Sequence, residues 1–288
     1  MLLALFLIIQ SPAGAGQLKP GERLEYTFSY QGIFTGFISI KIAHAEFAIQ
    51  PTVVVINGQK TYLGSMELST ESFGMAEMFY PIRYRYRSWF EPDQQTPLLV
   101  TEYLETDEVS EEFLWFDREN QQGYRYVKRD APKEGGTTPP DFLLDKAGVR
   151  QSDRSLMVNS HQKSFNGSEV WDYLSMLHHL RFLELKPGQV INLPLYNGKE
   201  IKQFRVEVAK GKLEEAGWNR SAYELSLTEV RKGKDTKGMT TRIWVSDDDE
   251  RLPLRFYTKL AFGAVDGILE TGRPLAAKRA GFSKSSLD

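Results

Sequence analysis

Arg23-Leu24-Glu25-Tyr26-Thr27-Phe28-Ser29-Tyr30-Gln31 alternates apolar and polar side chains without a break. Leu24, Tyr26, Phe28 and Tyr30 fall on one face, and Arg23, Glu25, Thr27, Ser29 and Gln31 on the other. A period of two marks a half-buried β-strand, because successive side chains of an extended chain point to opposite faces. The pattern recurs along the chain. Phe34, Ile38, Ile40 and Ile42 suggest a second strand with Gly36 in phase. Further strands are expected over Pro51 to Ile56, Thr61 to Ser72, Ile82 to Glu91, Leu98 to Asp107, Glu111 to Asp117 and Gly123 to Lys128. Turn-forming stretches such as Asn57-Gly58 and Glu91-Pro92-Asp93 separate them.

From Arg129 to Gly167 the alternation is lost, and Gly135-Gly136-Thr137-Thr138-Pro139-Pro140 resists regular structure. This stretch reads as a long loop or flap. Ser168 to Leu183 reads as a helix, with Ser168 as its cap and Val170, Tyr173, Leu174, Leu177 and Leu180 as its buried stripe. Strands resume over Gln189 to Tyr196, Gln203 to Ala209, Ser221 to Arg231, Met239 to Ser246, Leu252 to Lys259 and Phe262 to Leu269, with Arg231 to Gly238 as a hairpin tip. Roughly a dozen consecutive strands imply a mainly β chain: one antiparallel meander curled into an open or half barrel, with one amphipathic helix on its concave side.

Composition agrees with strands. The chain of 288 residues is 41% apolar and 12% aromatic, and flat aromatic side chains suit a pleated surface. Lys and Arg number 36 against 38 Asp and Glu, a balance that does not suit a nucleic-acid partner. Met1 to Ile9 is a short apolar run followed by Ala13-Gly14-Ala15, the pattern of a signal peptide spanning residues 1–15 and cut after Ala15. No Lys or Arg precedes the run, which suggests that translation starts upstream. The run is too short to span a bilayer, and without a cysteine there is no site for lipid attachment. The expectation is a periplasmic protein with no transmembrane anchor after cleavage. A single β-rich domain is expected over residues 18–272 and a disordered tail over 273–288.

Candidates for chemistry fail on geometry. Asp172, Ser175 and His179 would share one helix sector, whereas a hydrolase triad converges from separate elements. His178 and His179 point about 100° apart on a helix and cannot share a metal. His44 and His161 form no ligand spacing, and Asp247-Asp248-Asp249-Glu250 lacks the alternate spacing of a calcium loop. No metal or cofactor is expected. Arg83, Arg85 and Arg87 share one strand face, with Ile82, Tyr84, Tyr86 and Phe90 on the other. Pairing with Glu102, Glu105 and Asp107 of the next strand is one reading; an anion or headgroup site inside the concave sheet is the other.

Three stretches resemble a known family. Gly21-Glu22-Arg23-Leu24-Glu25-Tyr26 with Gly36, Asp172-x-Leu174-Ser175 with Leu180-Arg181, and Trp244-Val245-Ser246-Asp247-Asp248 with Arg251-x-Pro253-x-Arg255 and Gly263 are similar to motifs of the DUF3108 family of bacterial secreted proteins. The resemblance implies an exported, β-rich protein and carries no catalytic residue over. The last motif also resembles, at the level of fold, the half-barrel lipoprotein carriers LolA and LolB, although this chain lacks the lipidated cysteine of LolB and is longer than both.

The expected function is non-catalytic binding or carriage of a lipid, acyl chain or glycan in the concave sheet, closed by the helix and the flap. Arg83, Arg85, Arg87, Trp89, Tyr173, Leu177, Trp244 and Arg255 are the candidate ligand-binding residues. The alternatives are an interaction module that engages an envelope protein and, third, a glycan- or lipid-acting enzyme with two facing carboxylates.

Overall fold

The computed structural model describes residues 18–271, apart from 94, 131–137, 168, 216–217 and 232–233. The expected signal peptide, the tail and Ser168 therefore lie outside the described residues. The opening alternation is β1 (Arg23–Gly32), followed by β2 (Ile40–Ile49), β3 (Val54–Ile56), β4 (Gln59–Ser69), β5 (Arg83–Phe90), β6 (Pro97–Glu105), β7 (Val109–Asp117), β8 (Gln122–Lys128) and β9 (Met157–Ser164). After a helical interruption come β10 (Val190–Tyr196), β11 (Ile201–Glu215), β12 (Trp218–Arg231), β13 (Lys234–Ser246), β14 (Pro253–Leu260) and β15 (Gly263–Thr271). All pair antiparallel in one sheet of order β10-β11-β12-β13-β14-β15-β1-β2-β4-β5-β6-β7-β8-β9, with short β3 added to β4. The first and last strands meet in the middle of the sheet, from Glu25 opposite Thr271 to Gly32 opposite Gly263.

Short β3 aside, which pairs only with β4, every strand pairs with the next along the chain except β9 with β10, so the curled sheet stays unclosed at one seam. Backbone and rings fill that seam. The Trp171 N–H donates to the Pro194 carbonyl at 3.0 Å and the Tyr196 N–H to the Trp171 carbonyl at 2.9 Å, a parallel bridge that covers the β10 edge. The Tyr196 ring packs on Phe116 and Phe165 with centroids 5.6 and 5.7 Å away. Gly123 is required here, since a Cβ on it would lie 2.6 Å from the Tyr196 ring.

Three α-helices occur among the described residues: α1 (Gly74–Phe79), α2 (Asp141–Ala147) and α3 (Tyr173–Phe182). The last lies inside the curl. It is shorter than the expected Ser168 to Leu183 because Asp172, not Ser168, starts it. The Asp172 carboxylate accepts from the backbone N–H groups of Leu174 and Ser175 at 2.8 and 3.2 Å, while the Ser175 hydroxyl accepts from the Asp172 N–H at 3.0 Å. The same carboxylate accepts from Ser88 and Tyr86 of β5 at 2.6 and 3.2 Å, so the cap also pins the helix to the sheet. Burial pushes the Asp172 carboxyl above its ordinary range, against the pull of these donors. Ser175 is thus the buried reciprocal group of the cap.

Two further expectations are corrected. The second strand begins at Ile40, since Ile33–Thr35 forms a 3-10 turn and Gly36 and Phe37 both take left-handed backbone at φ 60° and 64°. Two such residues in a row reverse the chain, which alternation alone cannot reveal. The stretch from Arg129 to Gly167 is not a flap over the concave side. It contains α2, a 3-10 helix (Gln151–Leu156) and β9, and it packs on the opposite face of the sheet. There Leu143, Leu144 and Met157 bury against Ile56, Trp89, Leu99, Phe113 and Tyr126. Beyond Met157 and Val158, β9 is a polar edge strand (Asn159 to Ser164), so it shows no apolar period.

Candidate functional site

The sheet and α3 form two main inner contacts with a hollow between them. On one side, Leu177, Leu180 and Met176 of α3 pack with Leu193, Leu195, Val206, Leu225 and Ile243. On the other, Leu174 packs with Tyr86, Val100, Leu114 and Phe116. Tyr26, Phe47 and Phe256 make the floor, with Tyr26 edge-on to Phe47 at 5.1 Å and Phe47 stacked on Phe256 at 5.7 Å. The Tyr26 hydroxyl donates to the Pro253 carbonyl at 2.6 Å, which satisfies the polar atom of a fully buried ring.

Above this floor is a cavity of about 550 Å³. Phe28, Met66, Leu68, Phe204 and Phe256 form its apolar wall, with Leu174 and Leu177 beneath. Those five wall side chains are only partly buried, because the hollow stays in reach of solvent. Polar groups stand at the rim. Tyr84 hydrogen-bonds Glu102, whose carboxyl burial pushes upward against that bond. Across from it, the Lys202 ammonium lies 3.1 Å from Glu229. Burial works to raise the Glu229 carboxyl, but hydrogen bonds from Arg231 and Lys202 outweigh it and hold it low. Tyr173, half-exposed at the start of α3, lies between these two pairs.

At the far end of the curl the chain is sealed. Arg181 donates to both oxygens of Glu22 at 2.6 and 2.8 Å and to the Glu250 carbonyl at 3.1 Å. The acidic turn is held internally: the Asp248 carboxylate accepts from the Ser246 hydroxyl at 2.6 Å and from the Glu250 N–H at 3.1 Å. Among the described residues no three His, Asp or Glu side chains come together as a metal site. Glu102 and Glu112 are direct cross-strand neighbours, side by side instead of facing across a cleft. Each is already engaged, Glu102 by Tyr84 and Glu112 by Arg125.

The structure divides the eight expected binding residues between two faces. Tyr173 and Leu177 line the cavity. Arg83, Arg85, Arg87 and Trp89 occupy the opposite face of β5 from Tyr86 and Ser88, so the arginines do not enter the concave interior. Of their expected partners, Glu105 stays directly opposite Arg83, whereas Glu102 does not face the arginines. Arg83 pairs with Glu77 at 2.7 Å, Arg85 lies 4.5 Å over the Tyr103 ring, and Glu102 points inward with Tyr86. Arg85 and Arg87 instead border an outer groove of about 410 Å³ with Lys128 and Arg150. Trp244 and Arg255 are outward as well. The Arg255 guanidinium lies 4.9 Å over Trp244 and forks onto Asp266 at 2.8 and 2.7 Å. Sequence reasoning missed Phe47, Met66, Leu68 and Lys202. Phe47 had a signal, since Ala43, Ala45, Phe47 and Ile49 alternate.

Residues 25–270 match the family described as "Protein of unknown function (DUF3108)". The chain belongs to the DUF3108 family. Its fold is similar to the crystal structure of a β-barrel-like protein of a domain of unknown function, DUF1849, from Brucella abortus. The TM-score is 0.50 at 9% identity, over 88% of this chain and 97% of that one. No curated protein matches. In this DUF3108 member the three motif stretches quoted above meet at the sealed end: Glu22 from the first, Arg181 from the second, and the Ser246 to Arg251 turn from the third. The motifs therefore hold the curl around α3; Leu174 and Leu180 of the second also line the cavity, and its other residues are drawn from elsewhere.

Proposed function

We propose that this protein is a non-catalytic binder or carrier of an amphiphile, which places a lipid or acyl chain in the interior cavity and its polar head at the rim. The cavity carries this reading. Its volume falls within the roughly 300–1,000 Å³ of small-molecule sites, and such sites combine apolar walls with a few placed polar groups. Phe28, Met66, Leu68, Phe204 and Phe256 supply the walls, and Lys202, Tyr173 and Tyr84 the rim. Transfer of an alkyl chain from water onto these walls is driven by the hydrophobic effect. Export to the periplasm is part of the same proposal and is supported by Met1 to Ile9 and Ala13-Gly14-Ala15.

Titration with a dansyl-labelled fatty acid tests it. Wild-type protein binds the probe saturably. Met66→Trp, which extends a larger ring into the hollow, weakens binding about tenfold or more. Absence of saturable binding, or equal binding by Met66→Trp, refutes the proposal.

A further inference from the structure

The connections β1–β2, β4–β5 and β14–β15 belong to strands that are neighbours in the sheet, β14-β15-β1-β2-β4-β5, and all three leave it at the same end. Their tips carry Phe34, Phe37, Ile38, Met78, Phe79 and Phe262, each between 60 and 82% exposed. Exposed apolar residues scattered singly need no explanation, but a cluster contributed by three adjacent loops does. The strand segments that lead into these loops supply Phe28, Leu68, Tyr84 and Thr258 to the cavity wall. The apolar tips therefore flank the mouth of the cavity, at the end opposite the Glu22–Arg181 seal.

Polar groups hold the tips outward. The Tyr30 hydroxyl donates to the Phe262 carbonyl at 2.6 Å, and the Ile33 N–H donates to the same carbonyl at 3.1 Å. The Gln31 amide donates to the Phe37 carbonyl at 2.7 Å. Arg83 forks onto Glu77 of α1 at 3.0 and 2.7 Å, and the Thr70 hydroxyl reaches the same carboxylate at 2.6 Å. These bonds hold the loops in place, so the exposed rings can enter an apolar phase with little further ordering of the main chain.

We infer that these tips dock on a lipid bilayer bearing anionic headgroups, so that an acyl chain passes between membrane and cavity without crossing bulk water. The inference rests on the cavity as the ligand site. Two observations select a bilayer as the occupant. The apolar residues sit on separate projecting loops, a shape that enters the deformable headgroup layer without a matching groove. The local charge is also complementary. Glu71 and Glu77 share the single charge of Arg83, at 3.8 and 2.7 Å, while exposed Lys41 and Lys259, close to the same loops, have no ion-pair partner among the described residues and leave these five groups net positive. Cations beside apolar anchors add attraction to anionic lipid.

Co-sedimentation of the mature protein with phosphatidylethanolamine–phosphatidylglycerol vesicles tests the inference, with phosphatidylcholine vesicles as the uncharged comparison. Wild type binds the anionic vesicles more tightly. Phe34→Ser/Phe79→Ser weakens that binding about tenfold or more, yet keeps its unfolding midpoint and its uptake of dansyl fatty acid from solution. Met66→Trp does the reverse, losing uptake and keeping vesicle binding, which separates failure at the tips from failure of the cavity. Wild type that stays in the supernatant overturns the inference, as does a double variant that sediments like wild type. A wild-type dimer that the double variant dissociates, with no vesicle binding, also overturns it and assigns the tips to a second copy of the chain.

Discussion

Glu22→Gln tests how the sealed end is held. Arg181 leaves the last turn of α3 with its side chain 2% exposed, and Glu22 opposite it is 10% exposed. The guanidinium spends three hydrogen bonds on Glu22 and the Glu250 carbonyl, and no other carboxylate among the described residues bonds it. Glutamine keeps the size of the side chain and one acceptor, but removes the compensating charge. A buried cation left in this way costs about 3–5 kcal/mol, against about 0–1 kcal/mol for an exposed pair such as Lys186–Glu184. For a domain of this size that is a fall in midpoint temperature of roughly 6–20 °C. Urea unfolding followed by circular dichroism and tryptophan fluorescence reads the change, with an unaltered slope as the sign that the native state is intact. Glu22→Gln/Arg181→Met removes both charges and recovers much of the loss, because the expense lies in the orphaned cation. A single variant within about 1 kcal/mol of wild type, or a double variant whose losses simply add, refutes the reasoning.

The His178 ring is buried against Phe90 and Gly64 with neither nitrogen hydrogen-bonded, and burial, helped by Arg181, holds its pKa well below 6.5. The unfolded ring gains a proton below about pH 6.5 and the folded one does not, so this contribution to stability is lost as pH falls through that value; His178→Leu should remove the slope, and a wild-type minus variant difference that is flat from about pH 7 to 5 counts against it. Asp172→Ala uncaps α3 and strands the buried hydroxyls of Ser88 and Tyr86, with an expected loss of about 3 kcal/mol in urea unfolding; a loss below about 1 kcal/mol would show that the cap does not hold the helix. Gly64→Ala places a Cβ 3.0 Å from the Phe90 ring and 3.2 Å from Leu174, and should cost about 1–3 kcal/mol, while an unchanged midpoint would mean that α3 can shift. Arg85→Ser/Arg87→Ser should leave dansyl fatty acid uptake unchanged, since both arginines face away from the cavity; a tenfold loss would return the arginines to the binding site.

Parts of the site were legible in the sequence to different degrees. The two faces of β5 follow from alternation, and Tyr84 and Tyr86 separate from Arg83, Arg85 and Arg87 on that basis alone. Which face turns inward is fixed by Asp172, which lies 84 positions beyond Ser88 and binds its hydroxyl. Alternation has no term for that contact. The position of α3 was recognisable from Leu174, Leu177 and Leu180, but its first turn was misplaced because Asp172 and Ser168 are both good capping residues. The outer layer was the least legible. α2 has seven residues and β9 is polar along most of its length, so neither makes a period long enough to register.

The sequence by itself determined a mainly β chain of consecutive antiparallel strands with an amphipathic helix set among them, because side-chain period is a local property that each strand shows independently. The tertiary structure alone decided that β1 pairs with β15, that the seam falls between β9 and β10, and that the arginines of β5 lie outside. These depend on how the sheet curls, and so on contacts between residues far apart in the chain. It alone also decided the cavity. Phe28, Met66 and Phe256 look like ordinary core residues in sequence, and a hollow arises only where α3 and the curved sheet fail to meet.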